Sequence, residues 1–320
     1  MNKKALFNFL RVTISIGLIA FLFWLMRGSI GDVTQAMRTA NKWTLLLSFL
    51  VVVIGMFLLS VRLRSLMKAQ HLPVSLKDAI YLTFIGQFFS NFLPTSSGGD
   101  IVKAFYAARK TGKKVHSIAA IIFDRLLGTF TLILMVLITS LIVKRTFLSS
   151  SITTFLFIAL ALSLVLFLII FNKGVAKKIP FLGFFARLFN AEGKTKDLYE
   201  IINNYKKHPV LLMRAILISI LLQSLMFCAV YLVIRSLGYH VSLKLVFLWM
   251  PIISTAAMAP SINGLGVREG AFVLFFQSAM GKQGAFALSI LWFGINFCIS
   301  LIGGVFYLFT RQHKEHQAAT

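Results

Sequence analysis

Ala79-Ile-Tyr-Leu-Thr-Phe-Ile-Gly-Gln-Phe-Phe-Ser-Asn-Phe-Leu93 is a short, mostly apolar run that stops at Pro94-Thr-Ser-Ser-Gly-Gly-Asp100. As a helix of about fifteen residues it would cover roughly 22 Å, short of the ~30 Å of hydrocarbon in a bilayer. Proline removes a backbone donor and clashes with the preceding turn, and glycine permits a tight reversal, so the run reads as one arm of a re-entrant hairpin. A second run, 245–259, ends in the same way at Pro260-Ser-Ile-Asn-Gly-Leu-Gly266.

The likeness between these two places extends outward. Val74-Ser-Leu-Lys77 precedes the first run and Val241-Ser-Leu-Lys244 the second, and a Gly-Lys pair follows each (Gly112-Lys113, Gly281-Lys282). Longer apolar runs, 6–26, 43–61, 117–143, 152–171, 211–234 and 285–309, are long enough or nearly so to cross a membrane as helices. The order within each half is span, span, hairpin, span, which predicts an internal repeat. Repeat one covers 5–145 and repeat two 152–310, with 172–208 as a basic intervening loop, all within one transmembrane domain, 1–320. Three spans per repeat is an odd number, so the second repeat enters the membrane upside down. The fold expected is an all-α polytopic membrane helix bundle: an inverted repeat of three spans and one re-entrant hairpin each.

Composition agrees. Hydrophobic residues make up 58% of the chain and charged residues 13%, with a mean hydropathy of +0.86, well away from the balance of a soluble domain. The formal charge of +24 would suggest nucleic acid in a soluble protein, but the basic residues gather in short loops between apolar runs, and no nucleic-acid-binding pattern is present. With the amino terminus inside, basic residues favour the cytoplasmic segments, Arg62, Arg64 and Arg109 among them. A multi-pass protein of the plasma membrane with both termini cytoplasmic is the expected placement. The 172–208 loop reads as an amphipathic segment on the inner leaflet, or else as a loose linker.

Six charges fall inside the expected membrane region: Asp100, Lys103, Asp124, Arg125, Arg268 and Glu269. Charge in hydrocarbon is costly unless paired or wet, so these residues either fasten the bundle as ion pairs or line a polar groove. Each returning half-helix begins near glycines, Gly98 and Gly99 in the first and Asn263, Gly264 and Gly266 in the second. Its free N–H groups would favour an anion such as phosphate near the membrane midplane. Lys103 and Arg268 would meet the anion, while Asp100, Asp124 and Glu269 would orient the cations or carry a proton.

Catalytic and metal sites are not expected. Cys228 and Cys298 lie in apolar runs, and the six histidines are dispersed. Gly193-Lys194-Thr195 lacks the leading glycine of a phosphate-binding loop, since position 188 is leucine. No cofactor is expected.

Taken in order, Pro94-Thr-Ser-Ser-Gly-Gly-Asp-Ile-Val-Lys103, Phe123-Asp-Arg-Leu-Leu-Gly128 and Asn263-Gly-Leu-Gly-Val-Arg-Glu-Gly270 resemble the signature of the lysylphosphatidylglycerol synthase transmembrane-region family, the flippase-like proteins. The resemblance runs over about 6–309. It implies a bacterial or archaeal plasma membrane and translocation of an aminoacylated phospholipid between leaflets. It also implies a cytoplasmic aminoacyl transferase domain in some members; this chain ends at Thr320 without one, so synthase activity is not expected. Other short relatives are associated with lipid-linked sugars or polyprenyl lipids. Three functions follow as expectations: a flippase for a phospholipid or lipid-linked substrate, an ion-coupled carrier of a small anion, or a membrane subunit partnering a glycosyl- or aminoacyl-transferase. Nucleic acid is not an expected partner, and a homo-oligomer is compatible with each.

Overall fold

A computed structural model describes residues 30–92, 98–142, 201, 204–257 and 266–318. These residues form α1 (Ile30–Thr39), α2 (Lys42–Ala69), α3 (Leu76–Phe92), α4 (Gly98–Thr111), α5 (Lys114–Ile142), a 3₁₀ turn (Tyr205–Lys207), α6 (Pro209–Ser236), α7 (Leu243–Ala256) and α8 (Val267–Ala318). Among the described residues the regular structure is entirely helical. Four helices are long and apolar enough to cross a membrane: α2, α5, α6 and α8. They carry the expected spans at 43–61, 117–143, 211–234 and 285–309. The spans expected at 6–26 and 152–171 lie outside the described residues, as do most of the 172–208 loop and the turns at 94–97 and 260–265.

Local chemistry explains where the helices begin and end. The Asn41 carboxamide accepts hydrogen bonds from the Trp43 and Thr44 amides at 3.0 and 3.1 Å, capping α2. Ser75 and Asp78 form a capping box at the start of α3: the Ser75 amide donates to Asp78 at 3.0 Å and the Asp78 amide to the Ser75 hydroxyl at 3.2 Å. At the end of α2 the His71 amide reaches the Lys68 carbonyl and the Leu72 amide reaches that of Met67, with His71 at φ 53°. This is a Schellman ending. It recurs 167 positions later, where the Gly238 amide reaches Arg235, the Tyr239 amide reaches Ile234, and Gly238 sits at φ 83°.

α2 and α6 are alike in length and exposure as well. α2 and α6 each hold 28 residues. On α2, Trp43, Leu46, Leu50 and Ile54 are exposed, and their counterparts at the same offset on α6, Val210, Met213, Leu217 and Leu221, are exposed too. Apolar side chains left uncovered at helical spacing on a spanning helix are a lipid-facing stripe. α4 ends at Gly112 (φ 69°). α8 is broken in the same manner at Gly281 (φ 70°, ψ 166°), which divides a run too long for one crossing into a shorter first helix and the expected span.

The chain divides into two compact units. One takes the described residues up to Gly55, Phe84–Gly99 and those from Ser224 on; the other takes Met56–Thr83 and those from Asp100 to Gln223. In the first, α1 and α7 pack on α8. The start of α2 runs antiparallel to the end of α6: the Asn41 amide donates to the Ser236 carbonyl at 2.8 Å and the Ser48 hydroxyl to that of Ala229 at 2.8 Å. Glycine permits two close approaches here. A Cβ at Gly99 would lie 2.0 Å from the Gly86 carbonyl oxygen, and one at Gly303 would lie 2.0 Å from that of Phe84. In the second unit Leu63, Leu66 and Met67 of α2, Ala104 and Ala107 of α4, and Ile118–Phe123 of α5 form a continuous buried core. Tyr205 is fully buried there, stacked on Phe123 at 4.1 Å, and its hydroxyl donates to the Leu66 carbonyl at 2.9 Å. The Lys110 ammonium pairs with Asp78, joining the end of α4 to the start of α3.

Candidate functional site

Asp124 and Arg125 are neighbours in sequence, so on α5 they point about 100° apart and reach different partners. Asp124 accepts a hydrogen bond from Nε of Arg62 on α2 at 2.8 Å. Nη2 of Arg62 donates to the Asp124 backbone carbonyl at 3.3 Å, and Nη1 donates to the Ser219 hydroxyl on α6 at 2.7 Å. The two side chains are 4% and 9% exposed. All three guanidinium nitrogens are engaged, so this pair ties α2, α5 and α6 together with no donor nitrogen left over.

Arg125 turns instead to Asp100, in the first turn of α4. Nη1 of Arg125 lies 3.2 Å from one carboxylate oxygen, and Nζ of Lys103, one turn along α4, lies 3.2 Å from the other. This cluster is looser and more open than the Arg62 pair, with the Arg125 side chain 34% exposed. Its formal charges sum to +1.

In the other unit Glu269 occupies the first turn of α8 and folds back on it. One carboxylate oxygen accepts the Gly266 amide at 2.6 Å; the other accepts Nε and Nη2 of Arg268 at 3.1 and 2.7 Å. The Arg268 guanidinium also lies over the Phe293 ring, 5.6 Å from its centroid, a cation–π contact. Gly266 has φ 82°, which glycine adopts without strain. Asp100 and Glu269 correspond in position, since each stands twelve residues ahead of a left-handed glycine, Gly112 or Gly281. Along a helix that distance is about 18 Å, roughly half the depth of a bilayer's hydrocarbon.

The structure therefore brings Asp100, Lys103 and Arg125 into one cluster, and Gly266, Arg268 and Glu269 into another. Asp124 stands apart from both, with a partner the sequence did not supply. Gly98 and Gly99 are buried at the head of α4, and the Gly99 backbone lies close against Gly86 and Ser90 of α3. Asn263 and Gly264 lie outside the described residues. Both half-helix starts were expected to offer free amides to an anion, but at α8 the Gly266 amide is already held by Glu269.

Arg62 is a site residue that does not stand out in the sequence. It follows the apolar run 43–61, which assigns it to a cytoplasmic segment. However, α2 continues to Ala69, leaving Arg62 inside the helix and 3% exposed. The one available signal was the surplus of basic residues over the nine acidic ones, which leaves every buried carboxylate in need of a chosen partner. Among the described residues no group of His, Cys, Asp and Glu side chains is arranged to hold a metal.

The sequence pattern of the lysylphosphatidylglycerol synthase TM region matches residues 8–304. A UPF0104 membrane protein of Methanothermobacter thermautotrophicus is 23% identical over 290 residues, covering 84% of this chain and 85% of its own. No solved structure matches this chain. With the family pattern running through both charged clusters and all four described spans, the chain belongs to the lysylphosphatidylglycerol synthase transmembrane-region family.

Proposed function

We propose that the protein is a lipid translocase that passes a phosphate-bearing or aminoacyl-phosphate headgroup between leaflets while the acyl tails remain in hydrocarbon. The observation that carries this reading is the corresponding pair of carboxylates, Asp100 and Glu269, each half a membrane's depth from a left-handed glycine and each matched to an arginine. Ionised groups at that depth are expensive, and outside pathways for polar cargo they are rare. The proposal includes an inverted relation between the halves, with three spans and one re-entrant pair in each, both termini cytoplasmic, in the plasma membrane. The shared Schellman endings, the matching lipid-facing stripes and the antiparallel course of α2 and α6 support it.

Translocation rather than group transfer is the proposed activity, and the substrate is a phospholipid or lipid-linked intermediate. The test is reconstitution into liposomes with fluorescent anionic, aminoacylated and polyprenyl lipids, followed by reduction of the label in the outer leaflet. Protein-dependent loss of protected signal for at least one lipid is expected. A folded preparation that moves none of them would overturn the reading, and flux of a water-soluble anion in the same vesicles would favour the carrier alternative.

A further inference from the structure

We infer that the cluster of Asp100, Lys103 and Arg125 is a binding site for a phosphate group, with the Asp100 carboxylate occupying it as an internal stand-in. The inference rests on the proposed translocase and narrows it, because it assigns the anion to one half-helix start and not to the other.

The three charged clusters differ in how their donors and acceptors are engaged. Arg62 uses all three of its nitrogens on Asp124 and Ser219. Arg268 gives two of its five N–H donors to one oxygen of Glu269, whose other oxygen is held by the Gly266 amide, so that cluster is neutral and both carboxylate oxygens are engaged. Arg125 makes one contact, through Nη1; among the described residues its other four N–H donors have no partner. The Lys103 ammonium has three N–H donors, one of them directed at Asp100.

Geometry points the same way. Both contacts to Asp100 are 3.2 Å, against the 2.7–2.9 Å typical of a charge-assisted pair and the 2.8 Å seen between Arg62 and Asp124. A carboxylate lends one oxygen to each cation. A phosphate has more oxygens, and would fill the fork of Arg125 while keeping the point charge of Lys103. The surplus charge of +1 would neutralise a phosphodiester, and the partly exposed Arg125 leaves a way in. Asp100 would then compete with the anion for its two cations.

That competition gives an unusual test, because removing a polar group should strengthen binding. The full chain, purified in detergent, is titrated calorimetrically with sodium phosphate and, separately, with monomeric dihexanoylphosphatidylglycerol; thermal unfolding verifies each variant. Asp100→Asn is expected to bind several-fold tighter. Arg125→Gln should bind about tenfold more weakly, the size of one lost charge-assisted bond. Arg125→Lys, which keeps the charge and loses the fork, should fall between Arg125→Gln and the unaltered protein, and it serves if Arg125→Gln does not fold. Lys110→Gln removes a cation elsewhere and should change nothing. Asp100→Asn binding equally or less tightly, Lys110→Gln weakening binding as much as Arg125→Gln, or no binding of either ligand would overturn the site. Binding of the lipid alone identifies a headgroup as the source, and binding of phosphate alone a free anion. If the variants behave as stated while liposomes show no lipid movement, the translocase reading fails and the phosphate site stands. Lipid movement with unaltered binding by Asp100→Asn removes the site and leaves the translocase.

Discussion

Arg62 of α2 and Asp124 of α5 meet at 2.8 Å in a nearly dry contact that also takes in Ser219 of α6. Removing one member of such a pair leaves an unmatched buried charge, at a cost of about 3–5 kcal/mol; replacing both with apolar residues of similar size is often close to neutral. Arg62→Ala and Asp124→Ala should each lower the unfolding temperature in detergent sharply, and Arg62→Met combined with Asp124→Leu should recover most of the loss. The double variant keeping its transport in liposomes would mark this pair as a fastening. Loss of transport at restored stability would place it in the pathway.

Close backbone contact and left-handed backbone make different demands on glycine. At Gly99 a Cβ would fall 2.0 Å from a carbonyl oxygen of α3, so Gly99→Ala must push helices apart and should cost more than about 2 kcal/mol. At Gly112 a Cβ meets nothing within 4 Å, but φ is +69°, and Gly112→Ala should cost only about 1–2 kcal/mol. Thermal unfolding of the two variants side by side checks the order, and a larger loss at Gly112 would contradict the packing described.

Glu269 caps its own helix and neutralises Arg268. Glu269→Gln retains an oxygen for the Gly266 amide and loses the charge, whereas Glu269→Ala loses both. Glu269→Ala should be the less stable by about 1 kcal/mol, the usual worth of a cap. Arg268→Ala, which frees the carboxylate and uncovers Phe293, should reduce lipid movement in liposomes more than it reduces the amount of folded protein. Equal losses would favour a purely structural pair.

Burial holds the Tyr205 hydroxyl above its ordinary pKa of 10.0; a hydrogen bond involving Gln70 pulls the other way and the Asp124 charge adds to the rise. A group with a raised folded pKa contributes stability in full below its unfolded value and loses it as pH climbs toward the folded one. Stability should therefore fall above about pH 10, as the unfolded chain gives up a proton that the folded chain keeps. Tyr205→Phe should flatten that alkaline limb while lowering stability near neutrality by about 1 kcal/mol through the lost bond to Leu66. Unfolding temperatures from pH 8 to 11 test both parts.

The sequence alone determined the helices and their membrane character, because apolar length, proline stops and glycine turns are local properties. Gly112 and Gly281 marked where α4 and the first part of α8 end. It also singled out six charged residues, since a charge in an apolar helix stands out by itself. Which charges would meet was decided only in three dimensions. Arg62 follows an apolar run yet lies buried because α2 continues past it, Asp124 and Arg125 part because a helix turns about 100° per residue, and Glu269 turns to its own helix where Asp100 also reaches across to another. Pairing depends on helix rotation and depth, and neither is written in the spacing of residues along the chain.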